Sequence, residues 1–392
     1  QNDAENGTED DAENGTEDDS DDDAEHGTED DSQHDHNEDG HNDTDLMLER
    51  RTTSGGIVWR KFYGDTGNEV AGGVVYLNGD IYLCGTTNAG GLGGTDAMVV
   101  RLDSQGNEVW TKTFGGSGND TGEKIVAVSD GYVIVGTTLV SGRAFSDMFL
   151  FKIDADGKQV WAKSYGDVNK PETGHGVRLT SDNGFILSGD VLNGTNYDFF
   201  AVRTDNTGTQ KWTATGGSTS LDDRAYDGYQ LGDSYYIIGT GYNDAAPSTL
   251  YDVALLKLDS SGKVLNKYYV GGAGNEAGYS AVLAGSNIVV VGSTTSSTAG
   301  GRDLYLVSIK GDGTKAWSKI IGGAQDDIGY GIASVGGDYV IAGSTKSWGA
   351  GGSDVYTLRV NSSGYGPEED GRADLLLHRL FDSLGNLLQV PH

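Results

Sequence analysis

The stretch VWTKTFGGSGNDTGEKIVAVSDGYVIVGTT, Val109 to Thr138, decides how the chain is read. Apolar residues alternate with polar ones, glycine is dense, and the turns are acidic. Nearly the same words return as VWRKFYGDTGNEVAGG from Val58, VWAKSYGDVNKPETGHG from Val160, KYYVGGAGNEAGYS from Lys267 and AWSKIIGGAQDDIGYG from Ala316. Within the quoted unit, four short strands can be read: EKIVAVS, YVIVGTT and, continuing past Thr138, MFLFKID and QVWAKSY. The turns SDG and DADG suit tight hairpins, glycine supplying the positive φ.

Working outward, an aspartate opens the third strand of each unit: Asp45, Asp96, Asp147, Asp198, Asp252, Asp303 and Asp354, at intervals of 51, 51, 51, 54, 51 and 51 residues. Fourteen residues after the aspartate stands Trp59, Trp110, Trp161, Trp212 or Trp317, with Asn266 as the one replacement in that series. Four antiparallel strands per repeat of about 50 residues is the arithmetic of a propeller blade. The outer strand pair occurs seven times and the inner pair six times. A seventh inner pair is available in DLLLHRLFDSLGNLLQV, Asp374 to Val390. The fold expected is therefore all-β: a seven-bladed propeller over residues 45–392, closed by N-terminal strands 45–63 and C-terminal strands 374–390, which hides the sheet edges. Two alternatives stay open. Residues 365–392 match the repeat poorly and read equally as an appendage, and six blades with a loose N-terminal hairpin is the competing count.

The patterns W-x-K-x-F-G-G-x-x-x-N-D-x-G, G-Y-V-I-V-G-T-T and D-x-x-L-x-K-L-D-x-x-G together resemble the bacterial seven-bladed beta-propeller repeat of secreted and surface proteins. The resemblance covers Asp45 to about Gly364. It implies an extracellular setting and no particular activity. Strands three and four, as in VRLDSQGNEVW, are also similar to the tryptophan-docking repeat of quinoproteins, which implies pyrroloquinoline quinone. A tryptophan packed between blades accounts for that motif without a cofactor.

Composition agrees with many short strands and tight turns: 63 glycines, 4 prolines and one cysteine, Cys84, in 392 residues. One cysteine forms no intramolecular disulfide, and Cys84 in DIYLCGTT reads as a buried inert thiol. The net charge of −32 argues against nucleic acid. No apolar run reaches the roughly 20 residues of a membrane span. The chain begins with Gln1, which reads as a processed mature chain or a trimmed one. Residues 1–45 hold 21 Asp or Glu and no Lys or Arg, so residues 1–44 read as a disordered acidic tail that cannot form a core. His26, His34, His36 and His41 in that tail read as polar filler, with weak divalent-metal binding as the alternative.

No catalytic constellation is legible. The Asp box of sialidases has a different spacing, Arg143, Arg178 and Arg224 look scattered, and only His175 and His378 fall within the repeats. Glu69, Asp120, Asp223, Glu276 and Asp327, in the turns that lead into each first strand, are the metal candidates. They read either as carboxylates accepting turn N–H bonds or as Ca²⁺ ligands. Trp348 is a candidate for the binding face, and Asn6, Asn14, Asn42, Asn119, Asn193 and Asn361 are glycosylation sequons. The function expected is a secreted or surface, non-catalytic adhesive, structural or binding propeller that engages an extracellular protein or glycan. Self-association into filaments by exchange of terminal strands is part of that expectation. The competing class is a propeller enzyme, a quinoprotein or a carbohydrate-active hydrolase or lyase.

Overall fold

The computed structural model describes residues 44–52, 56–244, 251–297, 300–349 and 352–365, and within them every regular element is a β-strand. The acidic tail, its histidines and the hairpin expected at 374–390 lie outside the described residues. No helix among the described residues is long and apolar enough to cross a membrane.

A hairpin of β1 (Leu46–Arg51) and β2 (Ile57–Tyr63) comes first. The first blade is β3 (Glu69–Leu77), β4 (Asp80–Thr87), β5 (Asp96–Leu102) and β6 (Glu108–Phe114); the second is β7 (Lys124–Val128), β8 (Gly131–Thr138), β9 (Asp147–Ile153) and β10 (Gln159–Tyr165). The third is β11 (Glu172–Leu179), β12 (Phe185–Asn193), β13 (Asn196–Thr204) and β14 (Gln210–Gly216); the fourth is β15 (Arg224–Leu231), β16 (Ser234–Gly241), β17 (Asp252–Leu258) and β18 (Val264–Val270). The fifth is β19 (Glu276–Ala284), β20 (Asn287–Thr294), β21 (Asp303–Lys310) and β22 (Lys315–Ile321); the sixth has three described strands, β23 (Asp327–Val335), β24 (Asp338–Thr345) and β25 (Asp354–Val360). All neighbouring strands pair antiparallel, in sequence order within each sheet.

The molecule is thus a β-propeller of six blades, not the seven that the spacing predicts. Counting aspartate-led outer pairs overcounts, because a blade also needs an inner pair, and only six inner pairs occur among the described residues. The β1–β2 hairpin is the unit that lacks one. It packs Leu46, Leu48 and Tyr63 against Ile81, Leu83 and Met98 of the first blade. The Tyr63 hydroxyl donates to Gly106 O at 2.8 Å, much as Tyr165 donates to Gly208 O two units further along.

Why these segments become strands follows from where they lie. The two middle strands of each blade are covered on both faces by neighbouring blades, so they are apolar almost without interruption, as in IYLCG of β4 and MFLFKI of β9. The outermost strands keep alternation, with one face exposed. Aromatic stacking joins adjacent blades: Tyr82 and Tyr132 are 3.8 Å apart between ring centroids, and Phe114 and Phe151 are 5.0 Å apart. Cys84 is fully buried, and burial pushes its thiol well above the usual range, which fits an inert core thiol.

The repeated tryptophan has a specific partner. Each sits beneath the glycine of the next unit's outer hairpin turn: Trp59 under Gly106, Trp110 under Gly157, Trp161 under Gly208, Trp212 under Gly262 and Trp317 under Gly364. Where Asn266 replaces tryptophan, the ring of Tyr268, two residues on and on the same strand face, takes the place against Gly313. Gly157 has φ of +73°, and a Cβ there would lie 2.8 Å from Trp110. Gly157→Ala is therefore expected to cost about 1–3 kcal/mol in a urea titration. Gly116→Ala, at a glycine with open space around it, is expected to stay within about 0.5 kcal/mol.

Candidate functional site

The inner strands β3, β7, β11, β15, β19 and β23 line a central cavity of about 710 Å³, inside the size range of small-molecule sites. Each inner strand carries one extra residue relative to its partner. Pairing runs Gly174 to Gly189 and then Gly176 to Ser188, leaving His175 as the bulge. The same skip leaves Gly72, Tyr226, Tyr279 and Tyr330 unpaired in β3, β15, β19 and β23. In the second blade it falls between the Asp120–Thr138 bridge and the Lys124–Val135 pair, where Glu123 lies. A bulge re-aims a side chain and weakens the local ladder. Here it places Gly72, Glu123, His175, Tyr226, Tyr279 and Tyr330 on the wall of one cavity.

These six positions are equivalent in the repeat yet share no residue type across it. Four rings run in succession along one side: His175 to Tyr226 at 5.7 Å, Tyr226 to Tyr279 at 5.4 Å and Tyr279 to Tyr330 at 5.5 Å between centroids. Burial, with the Asp190 charge adding to it, pushes the Tyr226 hydroxyl up to about 12.

Behind the rings are two repeat-breaking carboxylates. Asp227, fully buried, accepts from Lys124 Nζ at 3.2 Å, Arg178 Nε at 3.0 Å and Nη2 at 2.8 Å, Gly228 N at 2.9 Å and Ala281 N at 3.2 Å. Burial alone would raise the Asp227 carboxyl, but the Arg178 and Lys124 cations hold it well below the usual carboxylate range. Burial, with Arg178 nearby, lowers the Lys124 ammonium despite Asp227, whereas Asp227 outweighs burial for Arg178 and raises it. Asp190, in β12, stands where the other blades have Thr86, Thr137, Thr240, Ser293 and Ser344. It accepts from Ala225 N at 2.8 Å and pairs with His175 and Arg224, both at 3.2 Å. Burial works against the His175 imidazolium, but the bond and charge of Asp190, and then Glu123, raise it above its ordinary value. Thr173 Oγ1 and Asp190 Oδ2 both lie on His175 Nε2, at 3.1 and 3.2 Å. A nucleophile relay needs one partner on each ring nitrogen, so this trio is not one.

The five expected metal candidates are not brought together. Glu69, Asp120, Asp223, Glu276 and Asp327 lie at successive junctions between units, each close to a strand-opening aspartate. A Cβ at Gly115 would be 2.4 Å from Asp96 Oδ1 and 2.5 Å from Asp120 Oδ2, and Gly64, Gly217 and Gly271 are flanked likewise. The carboxylates accept turn bonds: Gly116 N to Asp120 at 2.7 Å, Gly272 N to Glu276 at 2.6 Å, Gly323 N to Asp327 at 2.8 Å, Tyr242 N to Asp223 at 3.0 Å and the Thr87 hydroxyl to Glu69 at 2.6 Å. N–H donors aimed at these oxygens are unfavourable neighbours for a cation, and Ca²⁺ takes six to eight oxygens. Among the described residues no group of three or more His, Cys, Asp or Glu is placed to hold a metal ion.

Trp348 is half-buried over Gly323 of its own blade junction, and its N–H donates to Thr345 Oγ1 at 3.2 Å. Asn119 and Asn193 are exposed, whereas Asn361 Oδ1 accepts from Ser363 N and Tyr365 N at 2.9 and 3.1 Å. Asn6, Asn14, Asn42 and His378 lie outside the described residues. Sequence reasoning missed the bulge position and treated Arg178 and Arg224 as scattered, although adjacent inner strands carry them. The signal was present: the third residue after each turn carboxylate is the column that varies.

No protein-family model matches the chain, and no curated protein matches it. Among solved structures it is similar to the Pyrococcus horikoshii acylaminoacyl peptidase, at 10% identity over 77% of this chain with a TM-score of 0.44, and spans 46% of that protein. It is also similar to the GH43 endo-arabinanase from Bacillus licheniformis, at 13% identity over 78% of this chain and 99% of that one with a TM-score of 0.37. A third likeness is the phage phi92 endosialidase, at 10% identity over 87% and 59% with a TM-score of 0.43.

Proposed function

We propose that the chain is an extracellular, non-catalytic binding propeller whose ligand, the end of a glycan or a small molecule of similar size, enters the central cavity. The observation that carries this reading is the bulge position. The strand-opening aspartates, the turn carboxylates and most of the tryptophans obey the repeat, while the bulge residue that each blade sets on the cavity wall changes from glycine to acid, histidine and tyrosine. A position kept for packing has no reason to vary in that way at one site and to be aromatic on three consecutive blades.

Gly331 supplies the test. It lines the cavity, and a Cβ built on it meets no atom within 4 Å, so Gly331→Trp adds bulk to the cavity wall while leaving Lys124, Arg178, Tyr226 and Tyr279 unchanged. The full chain and the variant are applied to a glycan array and a small-molecule panel. The expected result is capture of at least one compound, recovered chemically unchanged, with affinity at least ~10-fold lower for Gly331→Trp. The melting midpoint of the variant is expected to match that of the parent, as for a neutral surface change. Turnover of a captured compound, or a plug without effect on capture, overturns the reading.

A further inference from the structure

The wall of the cavity is not chemically symmetrical, and its two sides together define a ligand class. On one side stand the three tyrosine rings, whose hydroxyls make no hydrogen bond with described residues. Beside them, Lys124 and Arg178 also line the cavity and share the carboxylate of Asp227, next in sequence to Tyr226, while Arg178 Nη2 donates to Ala281 O at 3.3 Å. Two cations on one anion leave one positive charge, which among the described lining residues only Glu123 offsets. Donors are also left over. Lys124 Nζ uses one of its three on Asp227, and Arg178 Nη1 has no partner among the described residues. Glu123 is the one acid on the same wall, and it supplies an acceptor for hydroxyl groups.

Resting on the cavity reading above, we propose that the ligand is a carboxylated sugar ring. Its carboxylate is held by Lys124 Nζ and Arg178 Nη1, its ring face by Tyr226 and Tyr279, and its hydroxyls by Glu123 and the tyrosine hydroxyls. A free guanidinium Nη1 and a point-charge ammonium on one anion give charge-assisted bonds that favour a carboxylate over a neutral group. Flat amphipathic rings with free hydroxyls suit a sugar face better than a fully apolar ring, which would leave those hydroxyls unpaired.

The test is isothermal titration of the full chain with D-glucuronate, D-glucose and benzoate, at low and high salt. Glucuronate is expected to bind at least ~10-fold more tightly than either other probe, and its affinity is expected to fall as salt rises. Lys124→Met, which leaves Arg178 on Asp227, is expected to bring glucuronate down to the level of glucose. Tyr279→Ala is expected to weaken glucuronate and leave the salt dependence in place. Glucose binding as well as glucuronate overturns the carboxylate assignment, and benzoate binding as well overturns the sugar assignment. If no probe binds while Gly331→Trp still abolishes capture from the broad panel, this inference fails and the cavity reading stands. If the plug leaves capture unchanged, the cavity reading is what has failed.

Discussion

Asp227→Ala is expected to destabilise the fold by about 3–5 kcal/mol, the largest effect of any single substitution considered for this chain. Asp227 is fully buried and takes bonds from four consecutive inner strands: Lys124 on β7, Arg178 on β11, Gly228 on its own β15 and Ala281 on β19. Removing it strands a guanidinium and an ammonium beside each other in a site whose surroundings already push the Lys124 ammonium down. The cost comes from that uncompensated charge, not from the net worth of the ion pairs, because replacing a buried ion group by apolar residues of similar volume is often neutral. The triple variant Asp227→Leu, Lys124→Met, Arg178→Leu is therefore expected to recover most of the loss. Denaturant titration of the three proteins reads both effects. An Asp227→Ala midpoint within about 1 kcal/mol of the parent contradicts the account, and so does a triple variant no better than the single one.

Much of the architecture was legible because it repeats. Asp96, Trp110, Gly115 and Asp120 recur at one interval, and each recurrence is the same physical device: a strand opener, an inter-blade plate, a glycine with room only for hydrogen, and an anchor for the turn. The blade count was less legible. An outer strand pair announces itself through its aspartate and tryptophan, and the six inner pairs are legible as well; the seventh blade rested on giving Asp374 to Val390 to the hairpin at 45–63, a stretch that matches the repeat poorly and lies outside the described residues. The cavity wall was not read at all. His175, Tyr226 and Tyr279 occupy a column with no consensus, and absence of consensus looks like noise until the bulge register shows that the column faces one cavity. Lys124, Arg178 and Asp227 are as much as 103 residues apart in sequence, and no spacing rule joins them. Tyr268 for Asn266 was recoverable in principle, since the compensating ring is two residues away on the same strand face.

The junction carboxylates that look like calcium ligands lead instead to an inverted pH profile. Stability is expected to rise as pH falls from 8 towards 5. At the second junction Asp147 and Glu172 face each other across Gly166, where a Cβ would be 2.5 Å from an oxygen of each. Arg143 pairs with Asp147, the Asp167 N–H donates to Glu172, and Asp167 and Lys170 are the remaining charges nearby. Burial, with Asp147 adding to it, pushes Glu172 up to about 7 against the Asp167 bond, and Asp147 is itself raised by burial. At the third junction burial pushes Asp223 up to about 6, the Ser218 and Tyr242 N–H bonds and Lys267 opposing and Asp198 adding. A carboxyl raised in the folded state binds its proton more tightly there than in the unfolded chain. Its contribution is fully present below the unfolded value near 4, and is lost as pH rises through the folded value. For Glu172 and Asp223 that window runs from about 4 to about 7, and each contributes on the order of 2–4 kcal/mol across it. Asp227 and Asp182, both held below the usual range, act in the opposite sense, their contributions being lost only as pH falls below about 4. The optimum is thus expected near pH 4.5–5. Glu172→Gln keeps the acceptor for Asp167 N and adds an amide donor towards Asp147. It is expected to be near neutral at pH 4.5 and to stabilise by about 2–3 kcal/mol at pH 8, read as unfolding midpoints across the pH range. Calcium added at pH 8 is expected to leave the midpoint in place, because turn N–H groups take one oxygen of each of several junction carboxylates and among the described residues no three acids stand close enough to supply the rest. A midpoint that is flat from pH 5 to 8, with Glu172→Gln indistinguishable from the parent throughout, would show that burial beside Asp147 does not raise Glu172. A calcium-dependent rise at pH 8 would return those carboxylates to a metal.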